Sequence, residues 1–191
     1  MLRQKEPLTH LEEAALLLAA EKMGEYQDGE QGIRVNVSRA VLVFLDTGMH
    51  PSVLAQERLR LRSERDAEGR VLIVWDRPKK GGRAAYTRVP ASKRLSPWIE
   101  EFLAAPRPRW GDYWRQMLHA LARTIGAASG GLTETNLCPL ALRHTFGVRM
   151  LERTGNPEIV RQLMNCSRET LDYYLRLRGE MVDEALAKAG W

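Results

Sequence analysis

Leu142-Arg143-His144-Thr145-Phe146, followed later by Leu171-Asp172-Tyr173-Tyr174-Leu175, decides how this chain of 191 residues is read. An arginine opening an amphipathic helix, a helix-turn-helix-like stretch, and a tyrosine on a short terminal helix are what phosphodiester transesterification needs. Arginine presents a planar fork of donors to phosphate oxygens. A phenol is a nucleophile able to form a covalent intermediate. Taken singly, Arg143 reads as a surface charge near a helix start and Tyr174 as a half-buried aromatic. Their pairing carries the chemistry.

The totals bound what the chain can be. Its length fits one domain, residues 1–191, and is enough to bury a real core. With 44% hydrophobic and 28% charged residues the composition is that of an ordinary globular protein. Cys138 and Cys166 are far apart and lack metal-ligand spacing, which argues against a disulfide framework or a zinc site and for a reducing cytoplasm. Glu6, Glu12 and Glu13 interrupt the amino-terminal apolar stretch, and no apolar run approaches a membrane span, so no membrane partner is expected. No metal cluster, nucleotide fingerprint or phosphate loop is present, so no cofactor is expected.

Charge is spread unevenly. Residues 1–32 carry a balance of −4, which leaves about +9 on the remainder of a chain whose net charge is +5. A basic body points to a polyanionic partner, usually nucleic acid. The concentration is greatest from Arg77 to Arg94, where Arg77, Lys79, Lys80, Arg83, Arg88, Lys93 and Arg94 occur without one carboxylate. These seven residues are the candidate contacts to duplex DNA. A hairpin tip fits a groove, and lysines there would reach phosphates or a minor-groove base edge.

Along the chain, Thr9-His10-Leu11-Glu12 is a capping box, predicting a helix to about Met23. Gly24–Gly32 reads as a loop. Ile33–Asp46 fits a buried helix closed near Gly48, and Pro51 starts a short helix reaching about Leu61. Arg70–Asp76 and Arg83–Val89 read as two strands joined by the turn Pro78-Lys79-Lys80-Gly81-Gly82. Ser96-Pro97 starts another helix, and a longer one runs from about Tyr113 to Ala127. Trp98, Phe102, Trp114, Met117, Leu118 and Leu121 recur at helical spacing and belong to the core. The Arg143 helix ends at Gly155, Asn156-Pro157 caps the next one, and separate short helices carry Tyr174 and Met181–Ala189. The pattern is α+β, mainly helical, with one small antiparallel sheet.

The Leu142–Phe146 box, the tyrosine that follows it and the hairpin resemble the catalytic domain of the tyrosine recombinase, or phage integrase, family. The resemblance covers nearly the whole chain. Pro7-Leu8-Thr9 looks like that domain's opening, Leu45-Asp46-Thr47-Gly48-Met49 like the helix end before the family's first arginine, and Gln162–Ser167 like the turn before the nucleophile. No separate amino-terminal core-binding domain is expected within these residues. The resemblance implies an active site of two arginines, a lysine, two histidines (the second sometimes tryptophan) and the tyrosine. Arg143 stands at the second arginine and Tyr174 at the nucleophile. Lys79 or Lys80 stands near the lysine, on a hairpin tip about two residues longer than usual.

Three positions depart. His50 stands where the first arginine belongs, Leu140 where the histidine before the second arginine belongs, and Cys166 where the later histidine or tryptophan belongs. In-line attack builds negative charge on the non-bridging oxygens, and losing one preorganised donor costs roughly 10²–10³ in rate. Histidine offers one donor at most, leucine none, and cysteine a weak one. The segment before Tyr174 is one residue short of the pattern, so Tyr173 remains an alternative nucleophile. His144, about 100° round the helix from Arg143, is expected to face away from the site as a packed or capping residue.

Two readings follow from the resemblance. One is a DNA-binding enzyme of site-specific recombination or integration, of the kind mobile genetic elements use, which cuts and rejoins strands through a 3′-phosphotyrosine. The other is a catalytically impaired module that holds DNA as a regulator or architectural protein. A basic face for some other acidic partner is a third. Members of the family assemble on DNA, often passing a carboxy-terminal segment to a neighbour. Met181–Trp191 could serve homo-oligomerisation in that way, or fold back on its own domain.

Overall fold

The computed structural model describes residues 6–27, 32–55, 61–77, 85–108, 112–125, 132–133 and 136–188. The hairpin tip with Lys79, Lys80 and Arg83 lies outside the described residues, as does Trp191. Helix α1 (His10–Met23) begins at the expected capping box: the Thr9 hydroxyl accepts from the Glu12 N–H at 3.2 Å, and the Glu12 carboxylate accepts from the Thr9 N–H at 2.8 Å.

A small antiparallel sheet pairs β1 (Glu25–Gln27), in the segment expected to be a loop, with β2 (Arg34–Asn36), at the start of the segment expected to be a helix, in the register Glu25 opposite Asn36. A buried residue far along the chain ties it down. The Tyr113 hydroxyl lies within hydrogen-bond distance of two carbonyls, donating to that of Tyr26 at 2.9 Å or that of Ile33 at 3.2 Å. The Tyr26 ring meets Tyr113 edge-on at 5.3 Å.

Helix α2 (Val37–Thr47) therefore starts four residues later than the apolar pattern suggests. Its cap is Asn36, whose side chain accepts from the Arg39 N–H at 2.9 Å. Val37, Ala40, Val41, Phe44 and Leu45 are buried. The helix closes on Gly48 in the left-handed conformation, φ 59°. That position also needs glycine for space, since a Cβ there would come within 2.3 Å of the Phe146 ring.

Helix α3 is a single turn, Pro51–Leu54, and does not reach Leu61. Leu61 instead opens β3 (Leu61–Arg65), the edge of a three-stranded antiparallel sheet with β4 (Val71–Arg77) central and β5 (Ala85–Pro90) on the far side. The polar sequence of β3 conceals a strand because its charges are paired across the sheet. Arg62 reaches Asp76 at 3.2 Å, and Glu64 reaches Arg88 of β5 at 3.2 Å. Such cross-strand pairs are worth a few tenths of a kcal/mol each, and charges keep an edge strand from pairing with other chains.

Turns over residues 93–98 precede α4 (Ile99–Ala104), so helix begins after Ser96-Pro97 rather than at it. Helix α5 (Asp112–Ile125) buries Tyr113, Trp114, Met117, Leu118 and Leu121, as the helical spacing predicts. Trp114 meets Phe44 edge-on at 5.7 Å, joining α5 to α2.

The carboxy-terminal third is α6 (Pro139–Thr154), α7 (Pro157–Met164) and α8 (Arg168–Lys188). Gly155 and Asn156 end and restart the chain between α6 and α7 as expected. The terminal segment differs. One helix of 21 residues replaces the two short ones, running through Gly179 without a break.

The apolar interior has two parts. A large core unites α1, α2, the three-stranded sheet, α4 and α5, and includes Leu142 of α6. A smaller one, formed by Phe146, Val148, Leu151, Val160, Met164, Leu171 and Tyr174, welds α6, α7 and α8 together. Helix α6 thus faces both cores, and the residues at its first turns sit between them.

Candidate active site

Arg143 lies in the second turn of α6 and is half-buried. Its guanidinium donates to two backbone carbonyls, that of Gly48 at the end of α2 and that of Met164 at the end of α7, the latter at 2.7 Å. Both are helix carboxy-termini, where carbonyls lack intrahelical partners and the dipole is negative. The arginine is thus a structural clasp as well as a candidate phosphate ligand. These carbonyls take two of its N–H groups, which leaves the others for the Tyr174 hydroxyl and for further acceptors.

Tyr174 of α8 is completely buried, with 0% of its surface exposed. Its hydroxyl lies 3.2 Å from Nδ1 of His144, and the two rings stand 5.5 Å apart at 61°. Burial pushes the phenol up to about 12. The Arg143 charge and a hydrogen bond from Arg143 pull it back, while Cys166 and Tyr173 raise it further. Arginine, imidazole and phenol therefore meet at one oxygen. Gly147, one turn along α6, makes room for the ring: a Cβ there would lie 3.1 Å from Cε2 and Cζ of Tyr174.

The orientation of His144 differs from the sequence expectation. Neighbouring helical residues are about 100° apart, yet the tyrosine enters between Arg143 and His144 and is reached by both. Helical spacing fixes directions from the helix axis alone, not the reach of two long side chains toward a ring lying across α6. The signal available was composition, a titratable group beside the arginine in the motif.

The other nominated positions cluster around Arg143. His50 precedes α3 and caps it, its Nδ1 lying 2.8 Å from the Ser52 hydroxyl and accepting from the Ser52 N–H at 3.3 Å. An accepting Nδ1 leaves the ring proton on Nε2. Burial and then the Arg143 charge lower the His50 pKa below its usual 6.5, so the ring is neutral at pH 7. Cys166 follows α7 directly and is half-buried. Burial raises its thiol pKa, and the nearby Arg143 only partly offsets this. It is a thiol at neutral pH. Leu140 is half-buried in the first turn of α6 and contributes no polar atom. Tyr173 is half-buried, its ring 5.4 Å from that of His144, and burial raises its pKa too.

The basic run is less uniform than its composition. Arg88 lies over the ring of Tyr86 at 4.6 Å and pairs with Glu64 on the exposed face of β5. Lys93 is exposed. Arg94 turns inward to the Asp46 carboxylate and lies 3.6 Å from Glu13, so it braces α1 against α2. Arg77 ends β4, and Lys79, Lys80 and Arg83 lie outside the described residues. Beneath Arg94, the buried Glu13 also pairs with Arg149 of α6, a contact the sequence did not disclose. Among the described residues no group of side chains is arranged to hold a metal ion, and no helix is long and apolar enough to cross a membrane.

No protein-family model matches the sequence, and no curated protein does. Among solved structures, the chain is similar to a XerH site-specific recombinase in a post-cleavage complex with palindromic difH substrate, with 14% identity and a TM-score of 0.61 over 96% of this chain. It is similar to XerA recombinase at 19% identity and a TM-score of 0.63, covering 96% of this chain and 64% of that one. It is also similar to the Tn1549 transposon integrase in complex with transposon right end DNA, at 18% identity and a TM-score of 0.57 over 97% of this chain and 67% of that one. The chain spans about half the length of the XerH chain, 53%. With Arg143 and Tyr174 placed together on α6 and α8, these likenesses establish that the chain has the fold of the tyrosine recombinase catalytic domain.

Proposed function

We propose that the protein binds duplex DNA and carries a strand-transfer site of the tyrosine recombinase type, with Tyr174 as the nucleophile that forms a 3′-phosphotyrosyl link. The observation that carries this reading is the convergence of Arg143 and His144 on the Tyr174 hydroxyl. Arg143 orients the phenol and offers its remaining N–H groups to a non-bridging phosphate oxygen. His50, neutral and holding its proton on Nε2, supplies at most a second, weaker donor. The solved complexes of XerH and of the Tn1549 integrase with DNA, and the carboxylate-free basic run, support DNA as the partner.

The unaided reaction is slow. A phenol at about 12 is ionised to only about 10⁻⁵ at pH 7. The phosphate meets one arginine where the resemblance leads one to expect two, and lysine help rests on Lys79 or Lys80 of the hairpin. Assembly of copies on DNA through the end of α8, action in the cytoplasm, and a place in a mobile element's integration or excision belong to the same proposal.

A second reading, a DNA-holding module without strand transfer, is favoured by one feature. Tyr174 is sealed in the small core and the Arg143 fork is partly spent on Gly48 and Met164. Incubation with a nicked half-site suicide substrate separates the two. A covalent protein–DNA adduct that Tyr174→Phe abolishes supports the enzyme, and salt-sensitive binding with no adduct supports the module.

A further inference from the structure

We infer that His144 is the proton acceptor for Tyr174 in strand cleavage, an inference that rests on the strand-transfer reading above. Among the described residues, Nδ1 of His144 lies 3.2 Å from the Tyr174 hydroxyl, and a guanidinium N–H of Arg143 is also directed at it. Arginine only donates, so it occupies a lone pair of the phenol oxygen. The phenol hydrogen can then point at His144, in the tautomer whose Nδ1 accepts it and whose Nε2 carries the ring proton. Among the described residues, three further titratable groups around Arg143 and Tyr174 are unsuited to the task. His50 has its Nδ1 engaged by Ser52, Cys166 is held as a neutral thiol, and Tyr173 is itself a phenol raised by burial. Leu140 cannot take a proton.

The step balances simply. Nδ1 of His144 takes the Tyr174 proton as the phenol oxygen bonds to phosphorus. The bond from phosphorus to the 5′ oxygen breaks, and that oxygen takes a proton from solvent. The His144 imidazolium keeps that proton through the covalent intermediate. In rejoining, the 5′ hydroxyl loses its proton to solvent as its oxygen bonds to phosphorus, and His144 returns its proton to the departing phenol oxygen. No oxidant, metal or cofactor enters. A positioned base of this kind contributes about 10²–10⁴ in rate.

The test uses the full chain and the nicked half-site substrate, read as the rate of adduct formation against pH. The wild-type rate should fall on the acid side as the base is protonated. His144→Gln should lower the rate by about 10²–10⁴ and remove that acid-side fall. A second substrate replaces the leaving 5′ oxygen by sulfur, which departs without a proton. Loss of a base is not rescued by it, whereas loss of an acid is. His144→Ala with added imidazole provides the parallel variant, and return of adduct with imidazole supports the inference even where glutamine disturbs packing. An unchanged rate and pH profile in His144→Gln overturns it, as does full rescue by the sulfur substrate. A wild-type protein that binds DNA yet forms no adduct with either substrate at any pH overturns the strand-transfer reading itself and takes this inference with it.

Discussion

Gly147→Ala probes the packing of the nucleophile without touching a polar group. A Cβ at this position would stand 3.1 Å from Cε2 and Cζ of Tyr174 and 2.9 Å from Sδ of Met164. Alanine in a helix interior is favoured over glycine by about 1 kcal/mol. Against this, forcing one more methyl into a filled interior costs about 1–3 kcal/mol. Met164 ends in a flexible thioether and moves readily. The Tyr174 ring is held by His144 and Arg143, so the cost falls on it. The net expectation is about 1 kcal/mol of destabilisation, which for a chain of this size lowers Tm by about 2–4 °C. Catalysis should suffer more than stability. Displacing a reacting atom by about 1 Å costs on the order of 10²-fold, so a shift of a few tenths of an ångström should slow adduct formation about tenfold. DNA affinity should be unaltered, because the site of change is internal. Thermal unfolding, adduct kinetics and a binding isotherm measure the three quantities. A variant stabilised by the full helix-propensity gain, with wild-type adduct kinetics, would show that the ring does not pack where the structure puts it.

Other expectations concern charge and titration. The Tyr174 pKa is raised from 10.0 to about 12 in the folded state, so its stabilising effect is fully present below pH 10 and is lost as pH rises through 12. The loss amounts to about 3 kcal/mol, and subtracting the alkaline unfolding curve of Tyr174→Phe isolates it. Glu13→Gln leaves Arg149 half-buried without its carboxylate partner and should cost about 3–5 kcal/mol in denaturant unfolding. Replacing Lys79 and Lys80 by alanine should flatten the dependence of log affinity on log salt by about one unit per lost phosphate contact, measured by titration at several salt concentrations. The triple change His50→Arg, Leu140→His and Cys166→His should raise adduct yield by several orders of magnitude, less the roughly 1 kcal/mol lost with the His50 cap of α3.

How much of this was legible in the sequence depended on the range of the interaction. The Thr9 box, the Gly48 and Gly155 stops and the Asn156-Pro157 start are local devices, and each appears where its residues place it. Strands β4 and β5 declared themselves by β-branched and aromatic residues. The strands β1 and β2 did not, because what holds them is the hydroxyl of Tyr113, 87 residues from Tyr26 and 80 from Ile33. For β3 the stabilising partners of a polar segment lie on other strands. The Arg143–Tyr174 pairing was legible as a motif, whereas the second group on the tyrosine was not. His144 became visible only when α8 was laid across α6, since periodicity assigns a direction to a side chain and not a destination.

The most direct measurement is mass-spectrometric mapping of the covalent adduct formed with the nicked half-site. The expected result is a slow but detectable adduct with the nucleotide linked to Tyr174, absent from Tyr174→Phe and retained in Tyr173→Phe. A protein that binds the half-site yet forms no adduct, or one whose adduct maps to Tyr173, would contradict it.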